Sequence, residues 1–202
     1  LKHSKSVLLG TSALVCFALS APVVADDFVI TGSDNSTNGT GTTNGGTAAA
    51  IAATAINGSD TVSLGIALTT TLANEGIETT GGTNKVTVSE AGSITTGGNY
   101  AYGIFNDGND NTTTVSGSIT TAGSSAYGIR NNGSTNTTTV SGSIKTGGSS
   151  ADGIYNYGNS NTTTVSGSIT TGNDTYASGI YNYGNSNTTT VSEAGSITTA
   201  GS

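Results

Sequence analysis

The chain has 202 residues, 31 of them glycine, with one proline, no tryptophan and no methionine; 33% are apolar, 8% are charged and the formal net charge is −7. So small an apolar share excludes a thick globular core, while a disordered chain of the usual kind would carry more charge and proline. The acidic balance excludes nucleic acid as a partner, because its phosphates would be repelled.

Residues 1–25 differ from everything after them. Lys2, His3 and Lys5 form a basic start, Val7–Leu19 is an apolar run, and Val23-Val24-Ala25 places small residues before Asp26-Asp27. That order is the order of a secretory signal peptide, and the run is too short to span a bilayer. Cys16 lies inside the run behind Val15 and reads as an apolar filler. Cleavage after Ala25 would remove the only cysteine and the only histidine, leaving Lys85, Arg130 and Lys145 against twelve acidic residues, a formal charge of −9. With no disulfide available, stability must come from repetition and backbone hydrogen bonds. The chain starts with Leu1 and stops in mid-phrase at Gly201-Ser202, so a fragment of a longer protein is expected.

Residues 26–46, which include the stretch SDNSTNGTGTTNGG, read as a flexible linker. From 47 to 202 the chain repeats itself. An Ile recurs at 51, 77, 104, 129, 154 and 180, a Val at 62, 88, 115, 140, 165 and 191, and a second Ile at 66, 94, 119, 144, 169 and 197. The first marker precedes the second by 11 residues in all six copies, and the whole unit spans 25–27 residues. A fixed spacing inside the unit with variable loops between units is a solenoid pattern. The stretch TAAAIAATAI at Thr47–Ile56 breaks the Gly/Ser/Thr/Asn style and is either a degenerate first coil or a cap.

The phrase NTTTVSGSI, at Asn111–Ile119 and again at Asn136–Ile144 and Asn161–Ile169, sets the local structure. In an extended chain Thr113 and Val115 share one face, while Thr112 and Thr114 share the other. Short Thr/Val/Ile segments punctuated by Gly and Asn predict three strands per unit, and no window carries helical periodicity. The expected fold is therefore an all-β parallel β-helix of about six coils, right-handed by the general crossover preference, with coils about 4.8 Å apart. Asn106, Asn131, Asn156 and Asn182 lie two residues beyond their Ile, on the inward face, and predict a ladder of stacked amides. Gly108, Gly133, Gly158 and Gly184 are expected in turns that need positive φ.

The run AYGIFNDGNDNTTTVSGSITTAGSSAYGIRNNGSTNTTTVSGSI resembles the passenger repeats of bacterial autotransporters (type V secretion). The resemblance covers about 51–202 and agrees with the signal peptide. It implies a Gram-negative β-helix, exported to the cell surface or outer membrane and anchored by a C-terminal barrel that would lie beyond this chain.

Chemistry-bearing residues are sparse. Asp107 and Asp110 in NDGNDN are the nearest approach to a carboxylate pair, but their equivalents are Asn132 and Thr135, Tyr157 and Ser160, and Tyr183 and Ser186, so no acidic column is expected. No enzyme, cofactor or metal centre is predicted. Two outward arrays could bind. The pairs Thr112/Thr114, Thr137/Thr139, Thr162/Thr164 and Thr188/Thr190 should form two columns. Such a lattice resembles the ice-binding face of β-solenoid antifreeze proteins, although threonine favours exposed strand positions for its own reasons. Lys85 and Thr87 break this array in the preceding coil, and Lys145 breaks the neighbouring column of Thr95, Thr120, Thr170 and Thr198. Phe105, Arg130, Tyr155 and Tyr181, with Tyr157 and Tyr183 beside them, should form an aromatic column that could hold glycans or proteins of a host or neighbouring cell. The sequons at Asn111, Asn136, Asn161 and Asn187 read as turn chemistry. The expected role is a non-catalytic, surface-displayed structural or adhesive segment, with ice binding as the alternative.

Overall fold

The computed structural model describes residues 27–31, 42–43, 51–54, 61–65, 67–70, 75–172 and 176–200. The expected signal peptide at 1–25 lies outside these residues. Alternation of apolar or small polar residues with outward ones dictates strands throughout, and all regular structure among the described residues is β. Strands β1 (Asp27–Thr31) and β2 (Thr42–Thr43) come first, followed by β3 (Ile51–Thr54), β4 (Thr61–Gly65) and β5 (Ala67–Thr70). Turns of three four-residue strands succeed them. The first comprises β6 (Ile77–Thr80), β7 (Lys85–Val88) and β8 (Ser93–Thr96), and the second β9 (Ile104–Asp107), β10 (Thr112–Val115) and β11 (Ser118–Thr121). The third has β12 (Ile129–Asn132), β13 (Thr137–Val140) and β14 (Ser143–Thr146), and the fourth β15 (Ile154–Tyr157), β16 (Thr162–Val165) and β17 (Ser168–Thr171). The last has β18 (Ile180–Tyr183), β19 (Thr188–Val191) and β20 (Ser196–Thr199).

Each strand pairs in parallel with its counterpart one turn away, giving three sheets that run the length of the stack: β1-β4-β7-β10-β13-β16-β19, β2-β5-β8-β11-β14-β17-β20, and β3-β6-β9-β12-β15-β18. This is a parallel β-solenoid. Its continuous part holds five turns rather than the six expected, because before Ile77 only separate strands are described.

The expected register holds from Ile77 onward, with full burial through the fourth turn; in the last turn Ile180 is half-buried and Val191 and Ile197 are 43% and 38% exposed. Ile104, Ile129 and Ile154 are fully buried in one column, Val88, Val115, Val140 and Val165 in a second, and Ile94, Ile119, Ile144 and Ile169 in a third. Earlier in the chain the markers slip. Val62 pairs with Val86, and Leu64 takes the place opposite Val88. Leu68, not Ile66, stands opposite Ile94; Ile66 itself lies outside the described residues. Both shifts are explained by parity: a displacement of two residues keeps the same side chains inward, so spacing alone could not distinguish Val62 from Leu64. The segment expected as a linker also contributes to the sheets, since Asp27–Thr31 pairs with Thr61–Gly65 and Thr42–Thr43 with Thr69–Thr70. Of TAAAIAATAI, Ile51–Thr54 is a strand paired with β6.

Polar residues complete the core. Asn106 Nδ2 donates to Asn131 Oδ1 at 2.7 Å, Asn131 Nδ2 to Asn156 Oδ1 at 2.7 Å, and Asn156 Nδ2 to Asn182 Oδ1 at 2.7 Å. Each amide also donates across its own turn, to Thr113, Thr138 and Thr163 Oγ1. The lower end of the ladder is Thr79, whose hydroxyl donates to Asn106 Oδ1 at 2.9 Å. Inward amides thus satisfy one another within the core.

A second ladder runs through the corner before β10. The backbone N–H groups of Asn84, Asn111, Asn136 and Asn161 donate to the side-chain oxygens of Asn111, Asn136, Asn161 and Asn187, at 2.8–2.9 Å. The amide nitrogens donate in turn to carbonyls of the preceding corner, as from Asn136 to Gly108 O at 3.0 Å. Each sequon asparagine except Asn187 is buried in this corner, which gives the predicted turn chemistry a definite form. The corner starts with a glycine of positive φ, +143° at Gly158. A Cβ there would stand 2.2 Å from Gly133 O, so successive corners stack only if each lacks a side chain at this point.

Candidate functional site

With the inward residues committed to stacking, anything the solenoid recognises must meet its outer faces. The first is the outer face of β10, β13, β16 and β19. Thr112, Thr137, Thr162 and Thr188 lie in one register and Thr114, Thr139, Thr164 and Thr190 in another. Thr112, Thr137 and Thr162 are exposed, whereas Thr114, Thr139 and Thr164 are half-buried. Rungs repeat at about 4.8 Å, and the two columns stand about 7 Å apart along the strand. Lys85 and Thr87 precede Thr112 and Thr114 in the same registers. On the adjoining face Thr95, Thr120, Lys145, Thr170 and Thr198 align, and the exposed Lys145 interrupts the hydroxyls.

The second is the outer face of β9, β12, β15 and β18, where Phe105, Arg130, Tyr155 and Tyr181 fall in one register and Asp107, Asn132, Tyr157 and Tyr183 in the other. The tyrosines form a two-by-two array. Tyr155 stacks on Tyr181 at 5.3 Å, Tyr157 on Tyr183 at 5.1 Å, and Tyr155 lies 6.5 Å from Tyr157. In-register rings one rung apart are brought within stacking distance by the strand pairing, and offset stacking is one of the preferred arrangements of flat rings.

The structure adds residues that the periodicity did not single out. Tyr102 and Tyr127 occupy the loop position just before the Gly-Ile of β9 and β12. They stack on each other at 5.3 Å, and Tyr127 stacks on Tyr155 at 4.8 Å. Tyr102, Tyr127, Tyr155 and Tyr181 therefore make one continuous pile. Asp152 and Ser178 hold the same loop position in the next two turns, where Tyr155 and Tyr181 continue the pile in place of loop tyrosines. The recurring AYG triplet was a visible signal for Tyr102 and Tyr127; the consequence of Asp152 replacing tyrosine was not visible.

Arg130 closes the other end of the ribbon. Its Cζ lies 5.2 Å from the Tyr102 ring centre and 5.1 Å from that of Phe105, and Nη1 donates to Tyr102 Oη at 2.8 Å. Its Nε is buried without a hydrogen-bond partner. The guanidinium is thus held as a flat plate among rings, where cation–π attraction replaces an ion pair.

Beside the tyrosines lies an open groove of about 410 Å³, lined by residues that include Tyr127, Asp152, Tyr155, Tyr176, Ser178 and Tyr181. Asp152 is 5% exposed and accepts the Ser178 N–H at 2.6 Å. Burial raises its pKa above the ordinary aspartate value, and the bonds from Ser178 oppose the rise. Burial also raises the pKa of the phenols of Tyr127 and Tyr155; the Asp152 charge adds to the rise at Tyr127, and Tyr181 adds to that at Tyr155. Successive tyrosines of the ribbon are stacked face to face, so the faces between them are covered.

Asp107 and Asp110 do not work as a pair. Asp107 accepts from Asn132 Nδ2 at 2.8 Å, and Asp110 accepts from the Thr135 hydroxyl, each partner coming from the next turn. Among the described residues no group of three His, Cys, Asp or Glu side chains is placed to share a metal ion. No described helix is long and apolar enough to cross a membrane.

The fold and its faces define a parallel β-solenoid with an amide-laddered core, a threonine face and a tyrosine ribbon. No family model matches the chain, and no curated protein or solved structure is significantly similar to it.

Proposed function

We propose that the chain is an exported, surface-displayed solenoid segment that adheres through its tyrosine ribbon, acting by shape and repetition without catalysis. The observation that carries the reading is the array of Tyr155, Tyr157, Tyr181 and Tyr183, aligned and stacked on one outer face, in which Tyr157 is 46% exposed although it has a turn on either side. Phe105 extends the patch toward the first turns. Rigid rings tipped with hydroxyls give contact area and hydrogen bonds at low entropic cost, which suits glycans or proteins on a host or neighbouring cell. The basic, apolar and small-residue order of 1–25 supports export.

The test is adhesion of beads coated with the chain to cells and to glycan arrays. Changing Tyr155, Tyr157, Tyr181 and Tyr183 together to serine should abolish adhesion while circular dichroism stays unchanged. Equal adhesion by that variant would remove the ribbon from the reading.

One observation favours a second reading, ice binding: four consecutive rungs carry Thr-x-Thr in register. Thermal hysteresis that disappears in Thr139→Lys would establish it. Absence of hysteresis in the unaltered chain would eliminate it.

A further inference from the structure

The structure assigns Tyr157 and Tyr183 as an oxidative crosslinking site, at which a one-electron oxidant (the oxidised haem of a peroxidase supplied with hydrogen peroxide) joins the two rings as dityrosine and staples β15 to β18. Four observations carry this. The rings are parallel within 1° at 5.1 Å, one rung apart. Their backbones are locked in register, with Tyr157 opposite Tyr183 and the Gly158 N–H donating to Tyr183 O at 2.9 Å. Tyr157, which has a turn on either side, is 46% exposed, so the ring pair is open to an oxidant from the outer face. Finally, the sequence IYNYGNSNTTTVS occurs at both Ile154–Ser166 and Ile180–Ser192, so the pairing arises from repetition of a whole turn.

The chemistry balances. Each phenol loses one electron and its hydroxyl proton to become a phenoxyl radical. The radicals form one carbon–carbon bond between ring positions ortho to oxygen. The hydrogen on each coupled carbon then moves to the phenol oxygen, which restores both rings. Two hydrogen atoms have left the protein, and one hydrogen peroxide has become two waters.

Selectivity follows from the neighbours. Tyr155 and Tyr181 are nearly as close, at 5.3 Å, but Tyr155 is half-buried and its phenol holds its proton more tightly because of burial. Tyr100 is 64% exposed and has no ring neighbour among the described residues, so it can couple only between molecules. A partner held within one rung has an effective concentration of millimolar or more, well above protein at roughly micromolar concentration. Coupling inside the molecule should therefore dominate. The inference stands apart from the adhesive reading, since it uses the ring pair and no partner.

The experiment treats the whole chain with hydrogen peroxide and catalytic haem peroxidase, at several dilutions. Cleavage before aspartate separates the partners, because Asp174 lies between Tyr157 and Tyr183. The expected product is a monomer in which the peptide starting at Asp152 is joined to the peptide starting at Asp174, lighter by two hydrogens, with fragmentation placing the bond at Tyr157 and Tyr183. Its yield should be independent of dilution. Tyr157→Phe and Tyr183→Phe should each reduce it to background with unchanged circular dichroism, while Tyr100→Phe should leave it intact. Dityrosine found only between molecules, a yield proportional to protein concentration, or full yield in Tyr157→Phe would each overturn the assignment.

Discussion

Replacing Asn131 by alanine tests the internal ladder at its centre. Asn131 is 1% exposed, accepts from Asn106 Nδ2 at 2.7 Å, and donates to Asn156 Oδ1 at 2.7 Å and to Thr138 Oγ1 at 3.1 Å. Alanine removes all three bonds. Asn106 Nδ2 keeps its bond to Thr113, but Asn156 Oδ1 and Thr138 Oγ1 lose the donor they share. Two orphaned acceptors and one weakened donor, at about 1–3 kcal/mol per buried unsatisfied group, give an expected loss of about 2–5 kcal/mol. Urea unfolding followed by circular dichroism measures it, with Thr139→Ala on the outer face of the same turn as control, expected within about 0.5 kcal/mol of the parent. A double-mutant cycle with Asn106→Ala should show coupling of about 0.5–3 kcal/mol between adjacent rungs. In a stack where each turn touches only its neighbours, Asn106→Ala and Asn182→Ala should add. A loss below about 1 kcal/mol, equal to that of Thr139→Ala, would refute the claim that the amides support one another.

Val140→Asp places an unpaired charge at a fully buried position; a loss of several kcal/mol is expected, since one uncompensated buried charge costs about 3–5 kcal/mol, and unchanged urea stability would reverse the inward assignment. Gly158→Ala sets a methyl 2.2 Å from Gly133 O at a positive φ; strain of about 1–3 kcal/mol plus the clash should lower the unfolding midpoint more than Ala122→Gly at an exposed position does. Asp152 and Glu75 both have folded-state pKa values raised by burial. Their protonated forms therefore stabilise the fold: the contribution is complete below the unfolded carboxylate value and disappears as pH rises through the folded one. Stability should increase as pH falls from neutral toward the carboxylate range, and Asp152→Asn should flatten the curve; a slope unchanged in that variant would contradict the burial of the charge.

Much of this molecule was legible in one dimension. The alternation of Thr112, Thr113, Thr114 and Val115 is a property of any extended chain, because neighbouring side chains must point to opposite faces. Hence the inward Ile, Val and Asn columns and the outward Thr and Tyr columns could be named from spacing, and from Ile77 on the pairing agrees with them. Where the copies degenerate, parity no longer sufficed. Val62 and Leu64 point the same way, and only pairing with β7 decided that Leu64 stands opposite Val88. The strand at Thr42–Thr43 was invisible, since its partner lies in a later turn and the composition around it reads as linker. At Asp27–Thr31 the run Phe28-Val29-Ile30 did carry a strand signal, but it falls outside the repeat and its partner, Thr61–Gly65, lies in a later turn.

The outer ribbon divides in the same manner. Sequence by itself determined that Tyr155 would lie over Tyr181 and Tyr157 over Tyr183, because identical residues at one repeat spacing must fall in register. Tertiary structure alone decided that Tyr127 stacks on Tyr155, that Arg130 lies between Tyr102 and Phe105, and that Asp152 borders a groove. Those contacts join different positions of the repeat in successive turns, and they depend on how much space a neighbouring side chain leaves. A period specifies which residues align along the stack, whereas the volume and shape of each side chain set which ones touch across it.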